Sequence, residues 1–370
     1  MDFTINKIDL LAAIDKCSVA VPRDHQQVAF SIMRVETKKK TVRFAAVGEV
    51  CTVDTVVEGQ VKTPGFFTVR PKHLRDLAAS MPDGRIQCLL KGTRVTVKSL
   101  VSSRKASFES HTTELFTIED PGKEAPWVEV NAKELERGLR IVRPSATWED
   151  RPDPTVSLLI PTERGVDVFG SNGYMVALVE TSLRIDGVPP IQLPEEVVDV
   201  LFQMSGDDEN VRIFSNERRV YLENCDTLVT SALPANYVFL TNHVHAIAHM
   251  KDTDRVAGAT FNPALLLQGV KSVLSAAGFA SADEKKVGMS IHLKIGTSVQ
   301  VRLALGDADA QDEFDVVEAG TEMEFTVSSA HLLKLLSGLS GVDIVKVYQS
   351  DNKIILQSQG ILCCMAEQRK

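Results

Sequence analysis

The sequence lacks the patterns that usually identify an enzyme or a membrane protein. It has no glycine-rich nucleotide-binding loop, no HExxH metalloprotease motif and no GxSxG nucleophile motif, so an enzyme is disfavoured. It also has no run of about 18 apolar residues, which argues against a transmembrane helix and a membrane partner. The charged, amphipathic N-terminus is not typical of a secretory signal peptide, and we expect a cytoplasmic protein.

Two further shortages narrow the class of protein. The six cysteines form no CxxC pair, which favours reduced structural thiols over a disulfide framework or a zinc site. Basic residues are not in excess: the formal net charge is -8, which excludes a uniformly basic surface but allows a local basic face. With 370 residues and 44% hydrophobic content, the chain is long enough for two or three folded domains.

Two short stretches could hold metal, and neither is complete. His243, His245 and His249 lie close together, but no nearby acid or cysteine completes a zinc set, so a metal-dependent enzyme is only a distant alternative. The segment Asp307–Glu318 has acids at several calcium-loop positions, but Asp312 stands where such a loop needs glycine. We predict an acidic hairpin loop there, and no metal or other cofactor.

What the sequence does contain is a sixfold internal repeat. Each copy predicts a short strand followed by an amphipathic helix, because its third, eighth and twelfth positions are apolar and the last two share one helix face. The fourth position usually suits a helix start, as with Asn6, Asn131, Asn262 and Ser328. The copies begin at Phe3, Phe67, Val128, Ile191, Ala259 and Phe325.

The intervals between the copies read as antiparallel strands. Successive eighth positions are 61 to 68 residues apart, and the intervening residues alternate between apolar and polar with turn residues between the runs. Each unit is therefore a strand, a helix and three strands. The linkers Asp120–Trp127 and Asn242–Arg255 follow every second unit, and half a domain cannot bury its helix and sheet face alone. We predict three α+β domains at 1–123, 124–252 and 253–370.

Three strings in their order along the chain carry a resemblance to a known family. They are the segment from Phe67 through Gly84 (FTVRPKHLRDLAASMPDG), Gly170–Glu180 (GSNGYMVALVE) and Leu233–Tyr237 (LPANY). In this order the chain resembles the bacterial sliding clamp, the beta subunit of DNA polymerase III.

The resemblance implies a fold and a function. Each domain would be a DNA-clamp domain of two β-α-β-β-β units, with helices on the inner face and antiparallel sheets outside. Two copies would form a head-to-tail homodimeric ring that encircles duplex DNA without sequence preference. The ring would be a non-catalytic, nucleoid-associated processivity factor. Its protein partners would be DNA polymerase, the clamp loader and other proteins that carry a short clamp-binding peptide.

The charges on the repeat helices give a thin positive surplus. The repeat helices contain eight acids and ten cations that could line the hole of the ring. The ten cations are Lys7, Lys16, Lys72, Arg75, Lys133, Arg137, Arg140, Arg143, Lys271 and Lys334. The fourth helix begins with two acids, which keeps open a clamp-fold regulator that binds partners without encircling DNA. By the resemblance and the helix positions, the predicted DNA-binding residues are Arg23, Lys72, Arg75, Arg104, Lys133, Arg137 and Arg140.

The resemblance also implies a peptide groove between the second and third domains. This chain departs from the family there, because Tyr174 and Met175 replace a His-Arg pair and the C-terminal tail differs. An apolar groove for a peptide bearing Leu or Phe is still expected. The predicted groove residues are Ser171, Gly173, Tyr174, Met175, Val176, Pro234, Val238, Phe239, Cys363, Met365, Ala366 and Glu367.

Overall fold

The computed structural model describes most of the chain as two compact units. The described residues are 1–21, 31–110, 121, 125–146, 156–185, 188–204, 210–233, 255–276, 289–305, 308–350 and 353–367. Unit 1 comprises Met1–Lys133 and Leu193–Pro234, and unit 2 comprises Glu134–Gln192 and Ala235–Lys370. No helix in the described ranges is long and apolar enough to cross a membrane. The three predicted domain boundaries stay a prediction.

Six helices are described, and each begins where the repeat predicts a helix start. Asn6 and Ser328 accept a backbone N–H of the first turn through their side chains, and Asn262 does the same at 2.8 Å. Arg70 makes no such bond, and Pro71 occupies the first helical position instead. The helices are α1 (Lys7–Ala20), α2 (Pro71–Ser80), α3 (Ala132–Ala146), α4 (Glu195–Met204), α5 (Pro263–Ala276) and α6 (Ser329–Gly338).

Each helix buries the stripe that the repeat pattern marks. The eighth positions are at most 2% exposed in all six units: Leu10, Leu74, Leu135, Val198, Leu266 and Leu332. Five of the six twelfth positions are equally buried, and Phe202 is half-buried. Burial of an aliphatic side chain contributes about 1.5–3 kcal/mol. The repeated leucine or valine therefore fixes which helix face turns to the sheet.

Unit 1 contains two antiparallel sheets. The five-stranded sheet runs in the order β5 (Gln60–Thr63), β1 (Asp2–Asn6), β7 (Arg85–Lys91), β8 (Arg94–Ser99) and β9 (Lys105–Glu109). The eight-stranded sheet runs in the order β10 (Val128–Asn131), β15 (Asn210–Ser215), β16 (Arg219–Glu223), β17 (Thr227–Ala232), β4 (Cys51–Glu58), β3 (Thr41–Val47), β2 (Met33–Lys38) and β6 (Gly65–Val69).

Unit 2 also contains two antiparallel sheets. Its eight-stranded sheet runs in the order β14 (Ile191–Pro194), β11 (Val156–Pro161), β12 (Val166–Ser171), β13 (Met175–Thr181), β25 (Ile361–Ala366), β24 (Lys353–Ser358), β23 (Val345–Ser350) and β18 (Val256–Phe261). Its four-stranded sheet runs in the order β21 (Ala308–Asp315), β20 (Ser298–Leu305), β19 (Ser290–Ile295) and β22 (Met323–Ser328).

The repeat units exchange their first strands in pairs. Strand β1 of the first unit pairs with β7 of the second, and β6 of the second pairs with β2 of the first. The same exchange places β10 beside β15 and β14 beside β11, and then β18 beside β23 and β22 beside β19. Neither unit of a pair can complete its sheet alone, which is the physical reason that the units occur in twos.

The eight-stranded sheets are completed by the last strand of a unit. Strand β17 of the fourth unit pairs with β4 of the first, from Thr227↔Thr55 to Ser231↔Cys51. Strand β13 of the third unit pairs with β25 of the sixth in the same antiparallel manner. Each eight-stranded sheet is thus two four-stranded halves, joined through the strand that comes third after the helix in each unit. The last strands of the second and fifth units, β9 and β21, lie at sheet edges.

Two sequence predictions are wrong. The acidic hairpin loop predicted within Asp307–Glu318 is largely strand β21, whose acids are held by neighbours on β20, as in the Arg302–Asp309 ion pair of 2.8 Å. Lys16, predicted as a pore cation, is buried. Its Nζ lies 3.4 Å from the Asp226 carboxylate and donates to the Thr227 hydroxyl at 3.2 Å. Lys16 therefore anchors α1 to the end of the β4–β17 junction.

Candidate nucleic-acid interface and partner groove

The exposed charges of the helices are much more positive than their sequences suggest. Across the six described helices, only Asp9 and Asp76 are exposed acids, because the other acids are at least half-buried. Fewer of the helix cations than of the acids are buried, so the described helices expose six cations and two acids. The six exposed cations are Lys72, Arg75, Lys133, Arg137, Arg140 and Lys271.

The predicted DNA-binding residues on the helices fall into two groups. Lys72, Lys133 and Arg137 form no ion pair within the described part of the chain, so their charges are available to a phosphate. Arg75 and Arg140 are each held by a carboxylate, Asp15 for Arg75 and Glu136 for Arg140. Surface ion pairs of this kind are worth about 0–1 kcal/mol, so an external anion can compete for both arginines.

The two remaining predicted DNA contacts lie off the helices. Arg104 is exposed in the β8–β9 loop and donates to the backbone carbonyl of Ser80, the last residue of α2. A cation at this position is favoured by the partial negative charge of a helix C-terminus. Arg104 is therefore partly occupied in fixing α2. Arg23 lies outside the described residues.

The acids of α4 are directed in part towards the protein interior. The pKa of the buried Cys51 thiol is raised to about 12. Burial is the main cause, and the negative charges of Glu196 and Asp199 add to it. Burial also raises the pKa of the Glu196 carboxyl. Helix α4 contacts α1, and its largest exposed side chain is Gln203. The acidic start of α4 therefore contributes less negative charge to the surface than its sequence suggests.

The predicted groove contains a rigid turn that presents an aromatic side chain. The Asn172 side-chain oxygen accepts the backbone N–H groups of Tyr174 and Met175 at 3.1 and 2.9 Å, and Gly173 takes a φ of 82° that favours glycine. The turn leaves Tyr174 half exposed, with its ring stacked on the imidazole of His331 at 5.1 Å between centroids. No sequence pattern pointed to His331, which lies on α6.

The turn is tied directly to the C-terminal strand. The Tyr174 carbonyl accepts the Ala366 N–H at 3.1 Å, and Glu367 accepts the Thr326 N–H at 3.3 Å. The chain therefore brings two predicted groove segments, 171–176 and 363–367, side by side.

The predicted groove residues differ in exposure. Tyr174, Gly173 and Ala366 are exposed, whereas Ser171, Val176 and Glu367 are half-buried. Three others are at most 2% exposed and face the core: Met175, Cys363 and Met365. Pro234, Val238 and Phe239 lie outside the described residues, so the groove as a whole stays a prediction.

One further concavity in the described chain lies away from the predicted groove residues. A shallow cavity of about 660 Å³ is lined by the β15–β16 turn, Tyr221 and Ala232, and it includes none of the predicted groove residues. No cluster of three or more His, Cys, Asp or Glu side chains able to hold a metal ion occurs among the described residues. His243, His245 and His249 lie outside them.

Comparison with solved structures identifies the architecture. The beta subunit of DNA polymerase from Streptococcus pyogenes superimposes with a TM-score of 0.80 at 13% identity, and each chain covers 100% of the other. The Caulobacter crescentus beta sliding clamp gives 0.78 at 16%, also with full mutual coverage. The Bacillus subtilis DNA polymerase sliding clamp gives 0.78 at 15%, covering 100% of this chain and 99% of that one. The chain has the sliding-clamp fold.

The sequence comparison agrees for the first domain-sized part of the chain. Residues 1–116 match the family model of the DNA polymerase III beta subunit, N-terminal domain. No curated protein matches the chain. The chain therefore has the clamp fold at only 13% to 16% sequence identity to the three solved clamps compared above. The predicted resemblance is confirmed at the level of fold.

Proposed function

We propose that the protein is a DNA sliding clamp, a homodimeric ring that encircles duplex DNA and tethers DNA polymerase and other replication or repair proteins. The observation that carries this proposal is the position of β9 and β21 at sheet edges. Within one chain, the third strands after the helix of two units pair twice, β17 with β4 and β13 with β25. A head-to-tail second copy would repeat the same junction between β9 of one chain and β21 of the other.

The charges of the two edges support this pairing. Strand β21 carries four acids, Asp309, Asp312, Glu313 and Asp315. The β8–β9 hairpin carries four cations against one acid, Glu109; the cations are Arg94, Lys98, Arg104 and Lys105. Complementary charge favours this pairing over association of like edges. Two such junctions close a ring and cover two strand edges that would otherwise invite aggregation.

A ring holds DNA by topology, so its contacts can be weak and independent of sequence. Contacts of this kind go to phosphates and weaken steeply with salt, by about 0.9 in the slope of log affinity against log salt for each phosphate neutralised. The exposed, unpaired Lys72, Lys133 and Arg137 are the cations that we assign to this role. Changing all three to glutamine should lower the salt slope by about 2 to 3 for each subunit of the ring that contacts the DNA.

A binding assay on duplex DNA across a salt series measures this change. The matched control is Lys91→Gln, which removes an exposed cation on strand β7, outside the β8–β9 hairpin. The control should leave the slope near the wild-type value. If the triple variant and the control have the same slope as the wild type, these three residues do not contact DNA.

We further assign partner binding to the segments around Tyr174 and Glu367. The locked turn, the Tyr174–His331 stack and the adjacent C-terminal strand support an apolar groove for a short peptide. Because Tyr174 contributes its exposed ring, Tyr174→Ala should weaken a Leu- or Phe-bearing clamp-binding peptide about tenfold or more. Fluorescence anisotropy with a labelled peptide measures this, with Thr297→Ala, a change of an exposed residue in the turn between β19 and β20, as a neutral control.

A clamp-fold regulator that does not encircle DNA is the second candidate. The acidic start of α4 favours it in the sequence, but Glu196 and Asp199 are partly buried and the exposed helix charge is positive. Measurement of mass in solution separates the two functions. We expect a dimer at micromolar concentration, and a strict monomer would favour the regulator.

A further inference from the structure

Helices α1 and α2 of unit 1 pack together and are joined by an ion pair at a position proposed for DNA contact. Arg75 on α2 donates through Nε to the Asp15 carboxylate on α1 at 2.5 Å, and its terminal nitrogen lies 3.4 Å from the second carboxylate oxygen. Both side chains are open to solvent, 48% for Arg75 and 38% for Asp15. The pair therefore lies on the surface of the helix layer and is not part of the core.

Asp15 occupies the face of Arg75 that would bind a phosphate. A guanidinium binds a carboxylate and a phosphate through the same two parallel N–H donors, so one arginine cannot serve both fully at once. The hydrogen bond that Arg75 donates to Asp15 also raises the pKa of Arg75. Lys72, three residues before Arg75 on the same helix, forms no ion pair among the described residues. The two cations of α2 are thus unequal in their readiness to contact DNA.

We propose that Asp15 competes with DNA phosphate for Arg75 and so limits how tightly α2 holds the duplex. The inference rests on the proposed clamp function and assigns a restraint on DNA affinity to a residue outside the predicted DNA-binding set. A clamp that must slide gains from such a restraint, because each additional phosphate contact slows displacement along the DNA. Exchange of Arg75 between Asp15 and passing phosphates keeps the contact transient.

The test compares two variants that add the same charge. Asp15→Asn releases Arg75, whereas Asp9→Asn removes an exposed carboxylate on the same helix that has no ion pair in the described chain. Full-length protein is titrated with duplex DNA at salt concentrations from about 50 to 200 mM. One added phosphate contact steepens the salt slope by about 0.9, which is an extra loss of affinity of about threefold over this range.

A thermodynamic cycle isolates the arginine. Arg75→Gln alone should weaken DNA binding less than it does beside Asp15→Asn, because in the wild type Arg75 is shared between Asp15 and phosphate. In the Asp15→Asn background, Arg75→Gln should remove the whole gain. Asp15→Ala serves as a second releasing variant, since asparagine retains one acceptor oxygen, and thermal melting establishes that each variant is folded.

The outcomes separate this inference from the proposed function. If wild type binds DNA with the expected salt dependence and Asp15→Asn behaves as Asp9→Asn does, the inference is overturned and the clamp function stands. If Arg75→Gln alone weakens binding as much as it does beside Asp15→Asn, Asp15 is no competitor and the inference is also overturned. If no variant binds duplex DNA at low salt, the proposed function fails and the inference fails with it.

Discussion

A single proline in strand β9 should open the proposed ring without unfolding the chain. Thr96 on β8 lies opposite Ser107 on β9. The Ser99 N–H donates to the Arg104 carbonyl at 3.0 Å, so Ser99 and Arg104 form a hydrogen-bonded pair of this ladder. In an antiparallel ladder such pairs alternate, so the N–H and C=O of Ser107 point away from β8. The Thr96 and Ser107 hydroxyls are 3.0 Å apart, as expected for the closer, non-bonded pair. Ser107→Pro therefore removes a donor only from the open edge.

The size of the effect follows from the number of interfaces. One backbone hydrogen bond contributes about 1 kcal/mol, and a closed head-to-tail dimer loses it at two equivalent junctions. The loss is then about 2 kcal/mol, or roughly a 30-fold rise in the dimer dissociation constant. The proline ring would also clash with a neighbouring strand, which weakens the dimer further, so about 30-fold is a lower bound on the rise in the dissociation constant.

Sedimentation equilibrium across a range of protein concentrations measures the dimer dissociation constant. Two variants serve as controls. Ser107→Ala keeps the backbone donor and should leave the dimer intact. Ala106→Pro removes an N–H directed towards Val97 and should lower the melting temperature of the chain itself. An unchanged dissociation constant for a folded Ser107→Pro protein would refute the pairing of β9 with a second copy.

Three further predictions concern separate parts of the molecule. Asp226→Ala leaves the buried Lys16 ammonium without its carboxylate, so the free energy of unfolding in urea should fall by about 3 kcal/mol, and Lys16→Met in the same chain should restore most of it. A thiol reagent at pH 8 should label Cys225 rapidly and the other five cysteines only after denaturation, because Cys225 is exposed and burial raises the pKa of thiols such as Cys51 to about 12. Tyr174→Ala should weaken partner-peptide binding while leaving dimerisation unchanged, since Tyr174 lies on β13's turn and not on either edge strand.

The sequence was sufficient to predict the helices and their orientation. A repeated pattern of strand, cap and apolar positions marks Asn6, Leu10 and Ile14 in the first unit, and the structure caps α1 with Asn6 and buries the other two. The pattern is local, with period-3.6 spacing after a period-2 strand, and local patterns are what a single sequence records best.

Pairing between distant strands left no such record. Nothing in a strand sequence specifies that β1 pairs with β7 or that β17 pairs with β4, because every strand alternates apolar and polar residues in the same way. The buried position of Lys16 depends on the β4–β17 junction, so it was equally invisible. Strand β21 was missed because its many acids read as a loop, whereas edge strands commonly carry charge.

The candidate site was predicted in its residue types and only partly in its geometry. Lys72, Lys133 and Arg137 are exposed, but the sequence could not show that Asp15 contacts Arg75, since the two residues are 60 positions apart along the chain. Likewise, His331 contacts Tyr174 only because β13 and α6 meet in space. Contacts of this kind follow from tertiary packing and not from local pattern.

The most direct test of the account is retention on closed DNA. The protein is mixed with nicked circular plasmid below the concentration at which it dimerises, concentrated so that rings close, and passed through a sizing column in high salt. We predict that it stays with the circular DNA and escapes when a restriction enzyme linearises the plasmid, because only free ends release a ring. Equal loss from circular and linear DNA would contradict the proposal that this protein encircles DNA.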